Sequence, residues 1–551
     1  MTSATTSAPP WKPAARKYAS EHAPPHLHHG PGGVTGEESG TRRLGPADLG
    51  PAFRAAFPRR RFLVVSNREP YEHVWTDEGD VEVRRPAGGL TSALDPLMRA
   101  VGGTWIAWGS GDADPELVDE RQRVRVPPED PAYTLRRLWL TDREVHHYYF
   151  GYANQFLWPL CHLRPELTRT RARYWERYVE VNDRFAAAVA DEVEDTPEDG
   201  RAAVWTQDYH LALAPLGIRA RTLRATLAHF WHIPFPPLEI FRISSHGREL
   251  LEGLLANDLL GFHLPLFCDN FLRCAEAIME AEVDWEQRCV RFDDHICYVR
   301  AFPISIDTAF FHAAATVASA PARVKRIRGR YLPDGGYLGV GVDRADYSKG
   351  LEEKFAALDM LWDHNPDLRE RFTYVQVAVP SRTDIEAYDW LNERIKRLVW
   401  GINDRFGTAN WRPVHLVTDA RPAERLAVLY RAADVCIISS LQDGMNLVAK
   451  EFVASQAEDP AGVLVLSKFA GAAEELDGSV EVNPFDPEDF ADRIRDALAF
   501  SPGERNRRMA RLRQNMRTIY DWMAEVFLVW GAVAHGEEVP LSDADRWSRF
   551  R

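Results

Sequence analysis

The chain lacks four features that would send its reading elsewhere. No apolar run approaches the ~18 residues that a membrane-crossing helix needs, so no membrane partner is expected. Its six cysteines (Cys161, Cys268, Cys274, Cys289, Cys297 and Cys436) include no Cys-x-x-Cys pair. That removes the spacing of a zinc site and reads as small core residues of a reducing compartment, the cytoplasm. Nor is there an excess of positive charge. The formal net charge is −14, which argues against nucleic acid as a bulk partner and still allows a local basic pocket. The first residues carry no apolar stretch of the signal-peptide kind, so no export signal is expected.

What is present is a long mixed chain. Its 551 residues, 45% of them apolar, are enough for several domains with real cores. Residues 1–58 are rich in Pro, Ala, Gly, Ser, Thr and His without a period, and are expected to be a disordered tail. From Arg61-Phe62-Leu63-Val64-Val65 onward, short apolar strands ending in polar residues alternate with helical stretches. That alternation predicts an α/β chain of two doubly wound, Rossmann-like halves, 59–318 and 319–505. A helical end, 506–551, would cross back to the first half, and the cleft between the halves is the natural site. Asp112/Asp114 and Asp543/Asp545 read as solvated turns, and no metal site is assigned.

The stretch that organises the chain is Ser440 to Glu451, Ser-Leu-Gln-Asp-Gly-Met-Asn-Leu-Val-Ala-Lys-Glu. The apolar run Val435-Cys436-Ile437-Ile438 before it predicts a buried strand, and a helix follows from Leu447. Asp443-Gly444-Met445-Asn446 then sits at the carboxyl edge of an open sheet, where ligands bind. Free amides at the helix start suit a phosphate or sugar oxygen, Gly444 permits close backbone approach, and Glu451 stands where it can grip a ribose. A tight turn capped by Asn446 is the plainer alternative.

A second stretch, Gly341 to Gly350, delivers Arg344 and Lys349 at a strand end. Two cations at that spacing can clamp a diphosphate, Arg by its fork and Lys as a point charge. Arg382 ends the next strand with a third cation. The competing reading is an ion pair of Arg344 with Asp346. In the first half, Arg68, Tyr149 and Trp158 form a candidate second anion pocket. The Gly88-Gly89 turn opens a helix, and the strands ending in Asp208 and His232 reach a carboxyl edge. Together these residues suit transfer of a sugar from a nucleotide to a phosphorylated acceptor.

Ser66-Asn67-Arg68, Gly88-Gly89-Leu90, Trp158-Pro159, Asp208-Tyr209-His210, His232-Ile233-Pro234-Phe235-Pro236, Gly341–Gly350, Asp443–Glu451 and Phe469-Ala470-Gly471-Ala472-Ala473 resemble the retaining GT-B transferases of the trehalose-6-phosphate synthase family. The match runs in order from about 61 to 530. It implies a GT-B fold and transfer of glucose from nucleotide-glucose to glucose 6-phosphate, giving α,α-trehalose 6-phosphate, with no cofactor and no metal. It implies that Arg344 and Lys349 hold the donor diphosphate. Asp443, Met445, Asn446 and Leu447 would hold the glucose and phosphate, Glu451 the ribose, and Gly89 would let its loop reach the donor. Arg68, Tyr149, Trp158 and Arg382 would bind the acceptor phosphate, while Trp108, Asp208 and His232 line the sugar pocket. Gln207 departs from the His of many members, and Gln442 from their Arg. These departures keep open a different acceptor, as in glucosylglycerol-phosphate synthases, or a pseudoglycosyltransferase of natural-product assembly. An inactive scaffold is the third reading, which the intact Arg344, Lys349, Asp443 and Glu451 oppose. The donor base and any homo-oligomer stay open.

Overall fold

A computed structural model describes residues 43–86, 89–197, 200–382 and 384–546. Two open sheets organise them. The first has ten strands in the order Glu282–Asp284, Cys289–Phe292, His295–Ala301, Leu259–Phe262, Ala225–Phe230, Ala202–Gln207, Arg61–Arg68, Thr104–Trp108, Tyr133–Leu138 and Arg123–Val126. The seven from His295–Ala301 to Tyr133–Leu138 run parallel; the outer strands are antiparallel. The second sheet has six strands, all parallel: Val414–Val417, Phe372–Pro380, Tyr337–Ala345, Val435–Ile438, Val463–Ser467 and Val480–Val482. Their burial explains the continuous apolar runs, because parallel strands covered on both faces have no solvent side.

In both sheets the first parallel strand lies mid-sheet, with the second strand on one side and the fourth on the other. The winding reverses beside that strand. Crossover loops there diverge to opposite faces and leave a crevice at the carboxyl ends. The molecule carries two such crevices, one beyond Arg68 and Gln207, the other beyond Ala345 and Ile438.

The helix Ile519–His535 returns to the first sheet. Trp522 packs on Trp205 and Phe230, and Phe527 and Trp530 pack on Phe53, Phe57 and Phe62. Buried aromatics dominate such a seam by area alone. The two chain crossings lie side by side. The Ile519 amide donates to the Ile306 carbonyl at 2.9 Å, and Trp522 Nε1 donates to the Phe302 carbonyl at 3.0 Å.

Several expectations are corrected. The segment up to 58 is not wholly a tail, since Pro46–Ala56 is a helix whose Leu49 and Phe53 are buried. Apolar residues four apart put Leu49, Phe53 and Phe57 on one face, toward Ile519–His535. Residues 1–42 lie outside the described residues. The helical end is broken into Pro502–Asn515 and Ile519–His535. Asp114 and Asp545 are not solvated; both are fully buried. Asp114 pairs with Arg137 at 2.8 Å, and Asp545 accepts from the Ser542 hydroxyl at 2.7 Å. No described helix is long and apolar enough to cross a membrane.

Candidate active site

The second sheet's crevice is built from two loops. After Tyr337–Ala345, a single turn at Tyr347–Lys349 leads into Gly350, whose φ is +61°. A Cβ there would meet the Ser439 carbonyl at 2.0 Å, so only glycine allows this approach. The turn brings Lys349 Nζ to 2.5 Å from Asp443 Oδ2, across the winding reversal. Burial alone would raise the Asp443 carboxyl; Lys349 outweighs it and holds the group below its ordinary range.

Asn446 does cap the helix Leu447–Ser455: its Oδ1 accepts from the Ala449 amide at 3.2 Å, and its Nδ2 donates to Asp443 at 3.1 Å. The plainer reading of this loop is therefore true, and it does not exclude the other. Capping the amide of the third helical residue, Ala449, leaves the earlier amides, Leu447 among them, at the helix tip without intrahelical acceptors. Met445 is buried, and its carbonyl accepts from the Ala472 amide at 2.7 Å. Glu451 accepts from the Tyr430 hydroxyl at 2.9 Å, and burial pushes its carboxyl up to about 7.

The competing reading, an Arg344–Asp346 ion pair, does not hold. Asp346 is fully buried and pairs with Arg382 at 3.2 Å, while Tyr388 donates to it at 3.1 Å. Burial would raise Asp346, but Arg382, Arg344 and His162 together hold it well below the carboxylate range. Arg344 is exposed, lies 5.2 Å over the Trp158 ring, and has no carboxylate within ion-pair reach among the described residues.

The first sheet's crevice is lined differently. A π-helix, His146–Leu157, runs into Trp158 and presents Tyr149. Arg68, at the end of its strand, donates to the Tyr149 hydroxyl at 3.3 Å. Trp158 is clasped between the His162 ring at 4.1 Å and the Arg382 guanidinium at 3.9 Å. Arg382 also reaches Tyr209 at 3.4 Å, so the two halves meet at this point. Burial would raise the Tyr149 phenol; Arg382 and Arg68 overcome it and bring the group down to about 8. Trp108 ends Thr104–Trp108 with its ring 6.3 Å from Tyr149.

Asp208 has φ +71°, and its Oδ1 accepts from the amides of Tyr209 at 2.9 Å and His232 at 3.3 Å. Burial raises it to about 7. Gly444 touches this side too, since a Cβ there would stand 2.7 Å from the His232 carbonyl.

The structure thus brings Arg68, Tyr149, Trp158, Arg344 and Arg382 into one cationic, aromatic cluster. Lys349 and Asp443 form a pair nearby in the second half, while Asp208 and His232 meet through the backbone. Gly89 opens the helix Gly89–Val101, and the turn at 87–88 lies outside the described residues. Sequence reading missed His162, Asp346, Tyr388 and Tyr209. The signals were there for two of them: His162 is one turn beyond Trp158, and Asp346 lies between the two clamp cations. Unpartnered buried polar atoms also gather here: Trp158 Nε1, Gln207 Nε2, His210 Nε2 and Arg382 Nε. Buried polar atoms are normally satisfied, so this concentration marks a polar binding surface.

The comparisons agree with this geometry. The family model described as "Glycosyltransferase family 20" matches residues 60–528. A trehalose-6-phosphate synthase from Mycolicibacterium gilvum is 39% identical over 498 residues, covering 89% of this chain and 92% of its own. The UDP-forming α,α-trehalose-phosphate synthase of Candida albicans is 34% identical over 451 residues, 81% of this chain and 91% of its own. The crystal structure of a UDP-forming α,α-trehalose-phosphate synthase from Burkholderia vietnamiensis superposes with a TM-score of 0.77 at 30% identity, covering 87% of this chain and 98% of that one. Another, from Burkholderia xenovorans in complex with glucose-6-phosphate, gives 0.74 at 30% identity, over 85% and 99%. With two doubly wound halves and this match along most of its length, the chain belongs to glycosyltransferase family 20, the trehalose-6-phosphate synthase family, and has the GT-B fold.

Proposed function

We propose that the protein transfers glucose from a nucleotide-glucose donor to glucose 6-phosphate with retention, giving α,α-trehalose 6-phosphate, in the cytoplasm. The observation that carries this reading is the pairing of Lys349 with Asp443 at one crevice, with the cluster of Arg68, Tyr149, Trp158 and Arg382 facing it. UDP-glucose is the proposed donor, in keeping with the UDP-forming relatives.

In this reading Arg344 and Lys349 bind the diphosphate, and the Leu447 helix tip, with Asp443, binds the phosphate and sugar. Glu451 accepts from the ribose. Arg68 and Arg382 bind the acceptor phosphate against the Trp158 ring. The acceptor hydroxyl approaches C1 on the face that the diphosphate leaves. The C1–oxygen bond to the acceptor forms as the C1–oxygen bond to phosphate breaks. The electron pair goes to the diphosphate, whose oxygen takes the hydroxyl proton. The two cations stabilise the departing charge, supplying what a divalent metal would otherwise provide. No nucleophilic carboxylate is required, unlike the paired-acid hydrolases.

The test is to incubate the protein with UDP-, GDP- or ADP-glucose and either glucose 6-phosphate or glycerol 3-phosphate. Released nucleotide, product mass and anomeric configuration are then measured. Trehalose 6-phosphate is expected. Turnover with glycerol 3-phosphate alone would replace the acceptor, and no turnover with any pair would overturn the reading.

A further inference from the structure

Gln207 ends the strand Ala202–Gln207 and is fully buried. Its Oε1 stands 2.9 Å from His232 Nε2, while its own Nε2 is buried without a partner. The backbone of His232 is held independently. Its amide donates to Asp208 Oδ1, and its carbonyl accepts from His263 Nε2 at 3.0 Å. The ring is therefore the freedom that remains, and its described hydrogen bond is to Gln207 Oε1. With the amide oxygen of Gln207 turned to the ring, Nε2 carries the proton, because that oxygen only accepts. A neutral imidazole has one proton, which leaves Nδ1 as a bare acceptor. Nδ1 has no hydrogen-bond partner among the described residues and is not among the enclosed atoms. Burial and the neighbouring His263, His229 and His210 keep the ring neutral.

We propose that Gln207 is a positioning residue that fixes His232 as the Nε2–H tautomer, so that Nδ1 accepts a hydrogen bond from a hydroxyl of the transferred sugar. This rests on the transfer reaction proposed above and adds a selection rule to it. A bare acceptor favours a neutral hexose and opposes a uronate, whose carboxylate would set acceptor against acceptor.

The tautomer can be read without turnover. In protein labelled with 15N-histidine, the His232 signals are assigned by their loss in His232→Gln. The parent chain and Gln207→Glu, an acceptor of equal reach, should show the proton on Nε2. Gln207→Met, of similar length and no acceptor, should show a mixture, with a donor KM raised about threefold to tenfold and the acceptor KM unchanged. A thermal melt confirms that each variant is folded. Proton on Nδ1 in the parent chain, or on Nε2 alone in Gln207→Met, overturns the proposal. A correct tautomer in a chain that transfers no glucose would count against the reaction only.

Discussion

Arg137 and Arg344 are each the penultimate residue of a parallel strand, in Tyr133–Leu138 and Tyr337–Ala345, and their surroundings are opposite. Arg137 is fully buried, with Nε 2.7 Å from Glu69 and Nη2 2.8 Å from Asp114 and 3.0 Å from the Tyr71 carbonyl. Arg344 is exposed at a crevice, lies over the Trp158 ring, and has no carboxylate within ion-pair reach among the described residues. A guanidinium enclosed with carboxylates spends its charge inside the fold. One left without a counterion at a winding reversal has its charge available for a ligand. A cation enclosed with carboxylates belongs to stability, and one exposed without them belongs to binding.

Breaking the enclosed cluster should have the largest effect. Arg137→Met leaves Glu69 and Asp114 buried without their cation, at a cost of about 3–5 kcal/mol, read as a fall in the denaturation midpoint. Burial and Asp114 already push Glu69 up to about 8 against the pull of Arg137, so losing the cation moves it further up. Arg344→Met should do the reverse. Turnover should drop by ~10²-fold or more, while the melting temperature stays within about 2 °C, as at an ordinary surface site. If both variants lose stability alike, the contrast fails and Arg344 is structural.

Gly444→Ala tests the seam between the crevices and should have a smaller effect. The added Cβ would stand 2.7 Å from the His232 carbonyl, a backbone atom that cannot swing away. The loop carrying Asp443 must then retreat from the first half. Overpacking of this kind costs about 1–3 kcal/mol. We expect kcat/KM to fall about tenfold, the equivalent of 1.4 kcal/mol. Unchanged kinetics would show that the loop's distance from His232 is not critical.

Much of this was legible because strand ends announce themselves. The runs Arg61–Val65 and Val435–Ile438 are buried parallel strands, and the polar residues after them had to lie at a carboxyl edge. What was not legible depended on partners distant in sequence. Pro46 and Pro51 disguise a helix that packs on the aromatic face of Ile519–His535 and on the helix Gly89–Val101. Asp114 looks like a turn residue until Arg137 and His73 are placed around it. The plain pairing of Arg344 with Asp346 is natural at a spacing of two. It fails because Arg382, with φ +50°, turns inward and takes that carboxylate. The π-helix at His146–Leu157 has no local pattern that separates it from an ordinary aromatic helix.

The smallest expected effect concerns the same contrast in a shared form, because Tyr149 competes with the ligand for its cations. Its phenol titrates at about 8, held down by Arg382 and Arg68 against burial. Below that pH the hydroxyl accepts from Arg68 and has a proton to offer a phosphate oxygen. Above it the phenolate satisfies the guanidiniums itself and repels a phosphate that is already dianionic, its second pKa lying near 6. The sign follows: the KM for glucose 6-phosphate should rise as pH passes upward through 8, by about threefold to tenfold. By linkage, bound acceptor must return the proton and raise the phenol. Tyr149→Phe should flatten the profile, because it keeps the ring and removes the titrating oxygen. The same rise in Tyr149→Phe would assign the titration to another group and leave Arg68 and Arg382 as cations that the ligand alone neutralises.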